Sequence, residues 1–270
     1  MKNYLFLPLL FIVSICKAEH KIKIYHEKTE SGFRIYADND EYCKMSIKID
    51  FKLTNLNAQR GNNAVYVIEP QKKRQLITRL RITKKGMAYR FSFEYWSNYG
   101  DSKNDLYDEN YIYDLPYNKS KTFKIIQGYN GDFSHQNINS LDFSMQVGTE
   151  LRAIRGGIVI KVIDHNNKSC GNEECNKYNN IIIINHSDGT FAEYVHIKQN
   201  GSKVKVGDKI EKGQIIALSG NVGWSTGPHL HLTVFKQKIF KRITLKTKFR
   251  IGNGDDFAVL NEKEEYLKNY

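Results

Sequence analysis

Apolar and polar positions alternate in short runs through the first part of the chain. The runs are Met45 to Lys52 (MSIKIDFK), Ala64 to Ile68 (AVYVI), Leu76 to Thr83 (LITRLRIT) and Tyr89 to Trp96 (YRFSFEYW), with Asn, Gly and Lys clusters between them. Period-two alternation of branched and aromatic residues predicts strands with one buried face, and several at this spacing predict a β-sandwich-like module. No candidate chemistry falls in it. A platform, an inhibitory cover and a substrate-binding accessory all remain open for this part.

After Phe133 the strand signals crowd together. Arg152 to Ile163 (RAIRGGIVIKVI) sets a Gly pair in apolar surroundings, and Asn180 to Asn185 (NIIIIN) has the continuous apolar run of a strand buried on both faces. The Asp188-Gly189 pair predicts a tight hairpin into TFAEYVHI. Val204 to Ile210 turns through Glu211 to Gly213 into Gln214 to Ser219, and His229 to Phe235 (HLHLTVF) alternates strictly. No stretch of useful length carries a helical period, so this part is expected to be nearly all β, as an antiparallel sheet. Asp108 to Ser120 (DENYIYDLPYNKS) mixes polar and aromatic residues around one Pro and reads as the passage between the two parts. The expected organisation is a leader at 1–18, a β-rich accessory domain at 19–120, a second domain at 121–245, and a tail at 246–270 that packs on that domain or extends from it.

The first eighteen residues, MKNYLFLPLLFIVSICKA, place one Lys before an apolar run and a small residue, Ala18, before charge. That is the layout of a secretory signal peptide, and the run is shorter than the roughly 20 residues a membrane span needs. Export is therefore expected, with no transmembrane segment in the mature chain; a retained N-terminal anchor is the competing reading. Cys16 hints at a lipid-attachment site, although Ile15 before it is large for one. Loss of Lys2 and Lys17 with the leader lowers the formal charge from +12 to +10, which would favour anionic envelope polymers. Charge alone does not separate such targeting from simple solubility. Cys170 and Cys175 enclose the polar stretch GNEE. In an oxidising compartment they are expected to form a small disulfide, because no second Cys pair exists to complete a metal site. Cys43 is expected to be buried.

Candidate chemistry lies in the histidines. His229 and His231 are two apart on one strand, so both side chains share a face while Leu230 and Leu232 take the other. The small-residue loop GWSTGP (Gly223 to Pro228) before them would let a substrate backbone come close. His135 and Asp142 have six residues between them in GDFSHQNINSLDF. Imidazole and carboxylate suit zinc, and two His plus one carboxylate leave a position open, as a catalytic site requires. His196 closes the strand FAEYVHI. Each alone reads more often as a packing, turn or surface residue than as a functional one. His20, His26, His165 and His186 are expected at solvated surfaces.

Four segments in order, QGYNGDFSHQNINSLDFSMQVGT, IIIINHSDGTFAEYVHI, VGDKIEKGQIIALSGNVG and STGPHLHLTVF, resemble the lysostaphin-like zinc peptidases, the M23 or LytM-type peptidoglycan endopeptidases. The resemblance spans roughly residues 126 to 236. It implies that His135, Asp142 and His231 are the ligands of one Zn2+, and that His196 and His229 are the two catalytic histidines. Many members place the Asp four positions after the first His, so the longer loop here must bring Asp142 back to the metal. DFSMQVGT matches the usual D-F-x-x-P-x-G-T with Gln146 in place of Pro.

The resemblance further implies an antiparallel peptidase domain with a narrow groove, whose substrates are peptidoglycan stem peptides or cross-bridges. A periplasmic or cell-envelope location, anionic envelope polymers as partners, no nucleic acid and a monomeric state are expected with it. The alternatives are a non-catalytic envelope-binding protein, an activator of another cell-wall hydrolase, or a chain whose β-module at 21–120 is the main functional unit and holds the peptidase inactive.

Overall fold

The computed structural model describes residues 20–270, so the expected leader and Cys16 lie outside the described residues. The chain divides into two compact units: residues 20–41 with 45–98, and residues 42–44 with 99–270.

The alternating runs of the first unit become two antiparallel sheets. One orders Ile22–Thr29, Gly32–Asn39, Gln75–Ile82 and Leu56–Ala58; the other orders Asn63–Ile68, Met45–Thr54 and Arg90–Tyr99. Met45, Ile47, Ile49 and Phe51 are buried, whereas Asp50 and Lys52 are exposed, as a period of two requires. Phe33 of the first sheet meets Phe91 of the second with ring centroids 4.8 Å apart, joining the sheets as a sandwich. Gly32, at φ +138°, starts the second strand where an added Cβ would lie 2.0 Å from the Leu80 carbonyl oxygen. Only glycine fits there. His26 is half-buried rather than fully solvated as expected; its ring packs edge-on against both Phe33 and Phe91.

The second unit is built on a nine-stranded sheet. Its order is Lys209–Ile210, Gly157–Ile163, Ile181–Asn185, Phe191–Val195, His229–Lys238, Ser140–Ser144, Lys121–Gln127 and Glu265–Lys268, with Lys241–Thr244 also paired to His229–Lys238. A three-stranded sheet of Glu150–Arg152, Ile215–Ser219 and Ile197–Ser202 lies in the same unit. The one helix among the described residues is the short 3-10 helix Glu173–Tyr178. No helix among them is long and apolar enough to cross a membrane.

Alternation on His229–Lys238 decides what each face does. Leu230, Leu232 and Val234 enter one apolar core with Leu141, Phe143, Ile182, Ile184 and Tyr194. Each such side chain taken from water contributes roughly 1.5–3 kcal/mol, which holds this strand's register against slippage. The histidines are thereby confined to the opposite face.

Residues 108–120, which read as a passage between two parts, pack inside the second unit. Tyr113, Leu115 and Tyr117 belong to its core, and Ile112–Tyr113 pairs in parallel with Lys248–Ile251. Their own spacing, Tyr-x-Leu-x-Tyr, is a period-two pattern that the flanking Asp, Pro and Asn obscure. The tail beyond 246 packs on the same unit, Glu265–Lys268 forming the sheet edge beside Lys121–Gln127. Cys170 and Cys175 are joined in a disulfide, and Cys43 is buried.

Candidate metal centre

Three adjacent strands set the centre. Asp142 on Ser140–Ser144 lies opposite His231 on one side and opposite Gln127 on the other. His231 stands two residues from His229 on the polar face. His135 arrives from the loop 128–139, which folds back on itself: the Asn130 N–H donates to the Ile138 carbonyl at 3.0 Å and the His135 N–H to the Gly131 carbonyl at 3.2 Å. The six intervening residues are thus taken up in an ordered loop, and His135 returns to Asp142.

The resulting cluster is tight. Asp142 Oδ1 lies 2.9 Å from His231 Nδ1 and 3.3 Å from His135 Nε2, and the two imidazole nitrogens are 3.1 Å apart. Partners behind the rings fix which nitrogen faces inward. His135 Nδ1 is 2.9 Å from the Gly128 carbonyl oxygen, which can only accept, so Nδ1 carries the proton and Nε2 the lone pair. His231 turns Nε2 to the Thr233 hydroxyl at 3.1 Å, leaving Nδ1 toward Asp142. Thr233 is in turn 2.7 Å from the Ser140 hydroxyl. Two imidazole nitrogens and a carboxylate oxygen converging on one point repel unless a cation, a metal ion or a proton, sits among them. Ligand atoms of His135, Asp142 and His231 all lie within 4.8 Å of one another, so these three residues could hold a metal ion. The donor set, two borderline nitrogens and one hard oxygen, fits zinc.

A proton can take the place of a metal cation at the same point, the ring nitrogens then donating to Asp142. Burial alone would raise the Asp142 carboxyl, but the hydrogen bonds from His135 and His231 and their charge outweigh it and hold the group well below the usual carboxylate range. Burial pushes His135 down, while its hydrogen bond and charge interaction with Asp142 more than reverse this and raise it.

Two further imidazoles border the cluster. His229 Nδ1 is 2.8 Å from the Gly227 carbonyl and 3.2 Å from the Ser225 hydroxyl, and its Nε2 is 3.9 Å from Asp142 Oδ1. His196 Nδ1 is 2.8 Å from the Val222 carbonyl. Its ring stands 4.5 Å from that of His229 and 6.1 Å from that of His231, centroid to centroid. His196 adopts φ +65° where the strand Phe191–Val195 hands over to Ile197–Ser202, a backbone state uncommon outside glycine and found where function demands it. Gly220 makes room for that turn, since a Cβ there would lie 2.7 Å from the His196 carbonyl oxygen. Burial, with the charges of His229 and His231, pushes the His196 pKa down to about 3.

The five side chains singled out in the sequence therefore stand together. Gln127 was not among them. Its amide donates to Asp142 Oδ2 at 2.9 Å, a relation set by strand register that no spacing along the chain encodes. His165 is exposed as expected. His186 is not: it is 2% exposed, its Nδ1 donates to the Gly156 carbonyl, and its ring meets Tyr113. The turn holding it folds inward because Arg155 draws Asp188 to 2.8 Å.

A His–Asp–His cluster bordered by two more imidazoles on an antiparallel sheet is the layout of a metal-dependent hydrolase site. Residues 136–242 match the model of peptidase family M23 and form an M23 peptidase domain. That match begins one residue after His135, so geometry rather than the family pattern brings His135 into the cluster. Among curated relatives, the glycyl-glycine endopeptidase ALE-1 of Staphylococcus capitis is 40% identical over 92 residues, 34% of this chain and 22% of that protein. The peptidoglycan DD-endopeptidase ShyA of Vibrio cholerae is 37% identical over 93 residues, 34% of this chain and 19% of that one. Among solved structures, the catalytic domain of lysostaphin from Staphylococcus simulans is 31% identical, with 43% of this chain and 79% of that chain covered and a TM-score of 0.32. The chain spans about a quarter or less of the length of these curated relatives.

Proposed function

We propose that this protein is an exported zinc endopeptidase that cleaves peptide cross-links of bacterial peptidoglycan. The convergence of His135, Asp142 and His231 on one point, with His229 and His196 beside it, carries this reading. The M23 peptidase domain and the peptidoglycan endopeptidases among its relatives support the substrate class. The export-type leader and the basic charge support an envelope location.

Zinc held by His135 Nε2, Asp142 Oδ1 and His231 Nδ1 would supply Lewis-acid polarisation of the scissile carbonyl and acidify water to a pKa near 7. The remaining work falls to the flanking histidines. Both are locked with Nδ1–H on a backbone carbonyl, so each presents a lone pair at Nε2. His229 takes the proton of the attacking water at Nε2 and returns it to the leaving amine, with Asp142 close enough to stabilise the imidazolium. His196, kept neutral by burial, accepts a hydrogen bond from the water and orients it. A neutral imidazole with no inward N–H cannot donate to an oxyanion, so in this reading its role is to orient the water.

The first unit, with no metal-ligating cluster among its described residues, serves as a platform or cover for the second in this reading. An activator without catalysis would have no need for all five side chains.

Digestion of purified peptidoglycan with and without a zinc chelator, with released fragments identified by mass, tests the proposal. Chelator-sensitive release of cross-link fragments is expected. Release unaffected by complete zinc removal, or no release by zinc-loaded protein, contradicts it.

A further inference from the structure

We infer that Gln127 is the positioning residue of the metal centre, tying Asp142 and the His135 loop to one amide; this rests on the zinc reading above and deepens it. The amide uses every hydrogen-bonding capacity it has. Nε2 donates to Asp142 Oδ2 at 2.9 Å and to the Ser134 hydroxyl at 2.8 Å. Oε1 accepts the backbone N–H of Ser134 at 2.9 Å and that of Phe133 at 3.2 Å. Two donors and two acceptors are thus filled by the two elements that must meet.

One contact fixes the carboxylate. With Oδ2 held by Gln127, the remaining oxygen, Oδ1, is the one turned to His135, His231 and His229. The other contacts fix the loop, whose residues 133 and 134 lead directly into His135. The neighbouring Gly128 carbonyl holds the His135 ring. Gly131 is what lets Gln127 in: a Cβ there would lie 2.6 Å from Gln127 Cγ. Gly131 keeps an ordinary backbone angle, since it is not among the positive-φ glycines, so crowding rather than torsion is what an alanine would introduce.

The arrangement answers the problem posed by the six-residue His135–Asp142 spacing. A longer loop costs chain entropy to order and leaves its histidine less well placed. Gln127 offsets this by binding that loop to the same carboxylate the histidine must face. Partners behind metal ligands are commonly worth about 10–100-fold in metal affinity.

The test uses the full chain and compares wild type, Gln127→Met, Gln127's neighbour variant Gly131→Ala, and His231→Ala. Zinc affinity is measured by competition with a chelating dye, the visible bands of the Co2+-substituted protein report ligand geometry, and thermal unfolding reports folding. Gln127→Met is expected to stay folded, to bind zinc about 10–100-fold more weakly and to shift the Co2+ bands. Gly131→Ala keeps the amide but displaces it, and is expected to weaken zinc in the same direction. If Gln127→Met fails to fold, Gly131→Ala decides. Wild-type zinc affinity and unchanged Co2+ bands in the folded variants overturn the assignment of Gln127 alone. Failure of wild type itself to bind zinc more tightly than His231→Ala overturns the zinc reading and this inference with it.

Discussion

His196 and His229 face each other with ring centroids 4.5 Å apart, each anchored through Nδ1 to a carbonyl of the same loop, Val222 for one and Gly227 for the other. Neither shares its anchor with His135 or His231. Proton handling and metal holding therefore rest on separate supports, and substitutions can separate them. His229→Ala is expected to retain zinc and lose about 10²–10⁴-fold in kcat, the range for removing a general acid–base. His196→Ala is expected to retain zinc with a smaller loss of kcat. Zinc content by elemental analysis and steady-state turnover check both, and wild-type turnover in His229→Ala refutes its role.

The loop bearing those carbonyls is itself braced by the disulfide. Ser169–Cys170 pairs with Gly223–Trp224, the Ser225 N–H donates to the Cys170 carbonyl, and the Ser169 hydroxyl donates to the Ser225 carbonyl. Ser225 then reaches His229. Reduction of Cys170–Cys175 under native conditions, or Cys170→Ser with Cys175→Ser, is expected to lower kcat several-fold while zinc affinity stays unchanged. Equal turnover of oxidised and reduced protein would show that the brace holds without the bond.

His186 predicts an acid-sensitive fold. Burial pushes its pKa down from 6.5 to about 4, with the Gly156 hydrogen bond only partly compensating, and its Nε2 has no hydrogen-bond partner among the described residues. The unfolded chain therefore takes up a proton that the folded one refuses. Stability from this group is intact above about pH 6.5 and falls as pH drops toward 4, by about 3 kcal/mol at most. Urea unfolding at pH 7 and pH 4.5 checks this, with His186→Met as the comparison. The variant is expected to lose less stability on acidification, and parallel losses would contradict the account.

Most of the fold was legible because period-two patterns do not depend on distant partners. Met45 to Lys52, Asn180 to Asn185 and His229 to Phe235 each sit in the strand their spacing predicts. The shared face of His229 and His231 was legible for the same reason. Signals that depend on what packs opposite were not. Tyr113, Leu115 and Tyr117 alternate as a strand would, yet Asp, Pro and Asn among them hide their place in the core. His186 sits beside a turn dipeptide that ordinarily faces water, and the Arg155–Asp188 pair turns it inward. Gln127 acquires its position only when Lys121–Gln127 and Ser140–Ser144 pair in one register.

The central claim concerns the ion. Wild-type protein purified without added metal, with zinc counted by mass spectrometry and titrated back after chelation, should hold one zinc per chain, and His135→Ala, Asp142→Ala and His231→Ala should each lose it while His229→Ala keeps it. A wild-type chain that takes up no zinc, or a His231→Ala chain that holds it as firmly as wild type, would contradict the account.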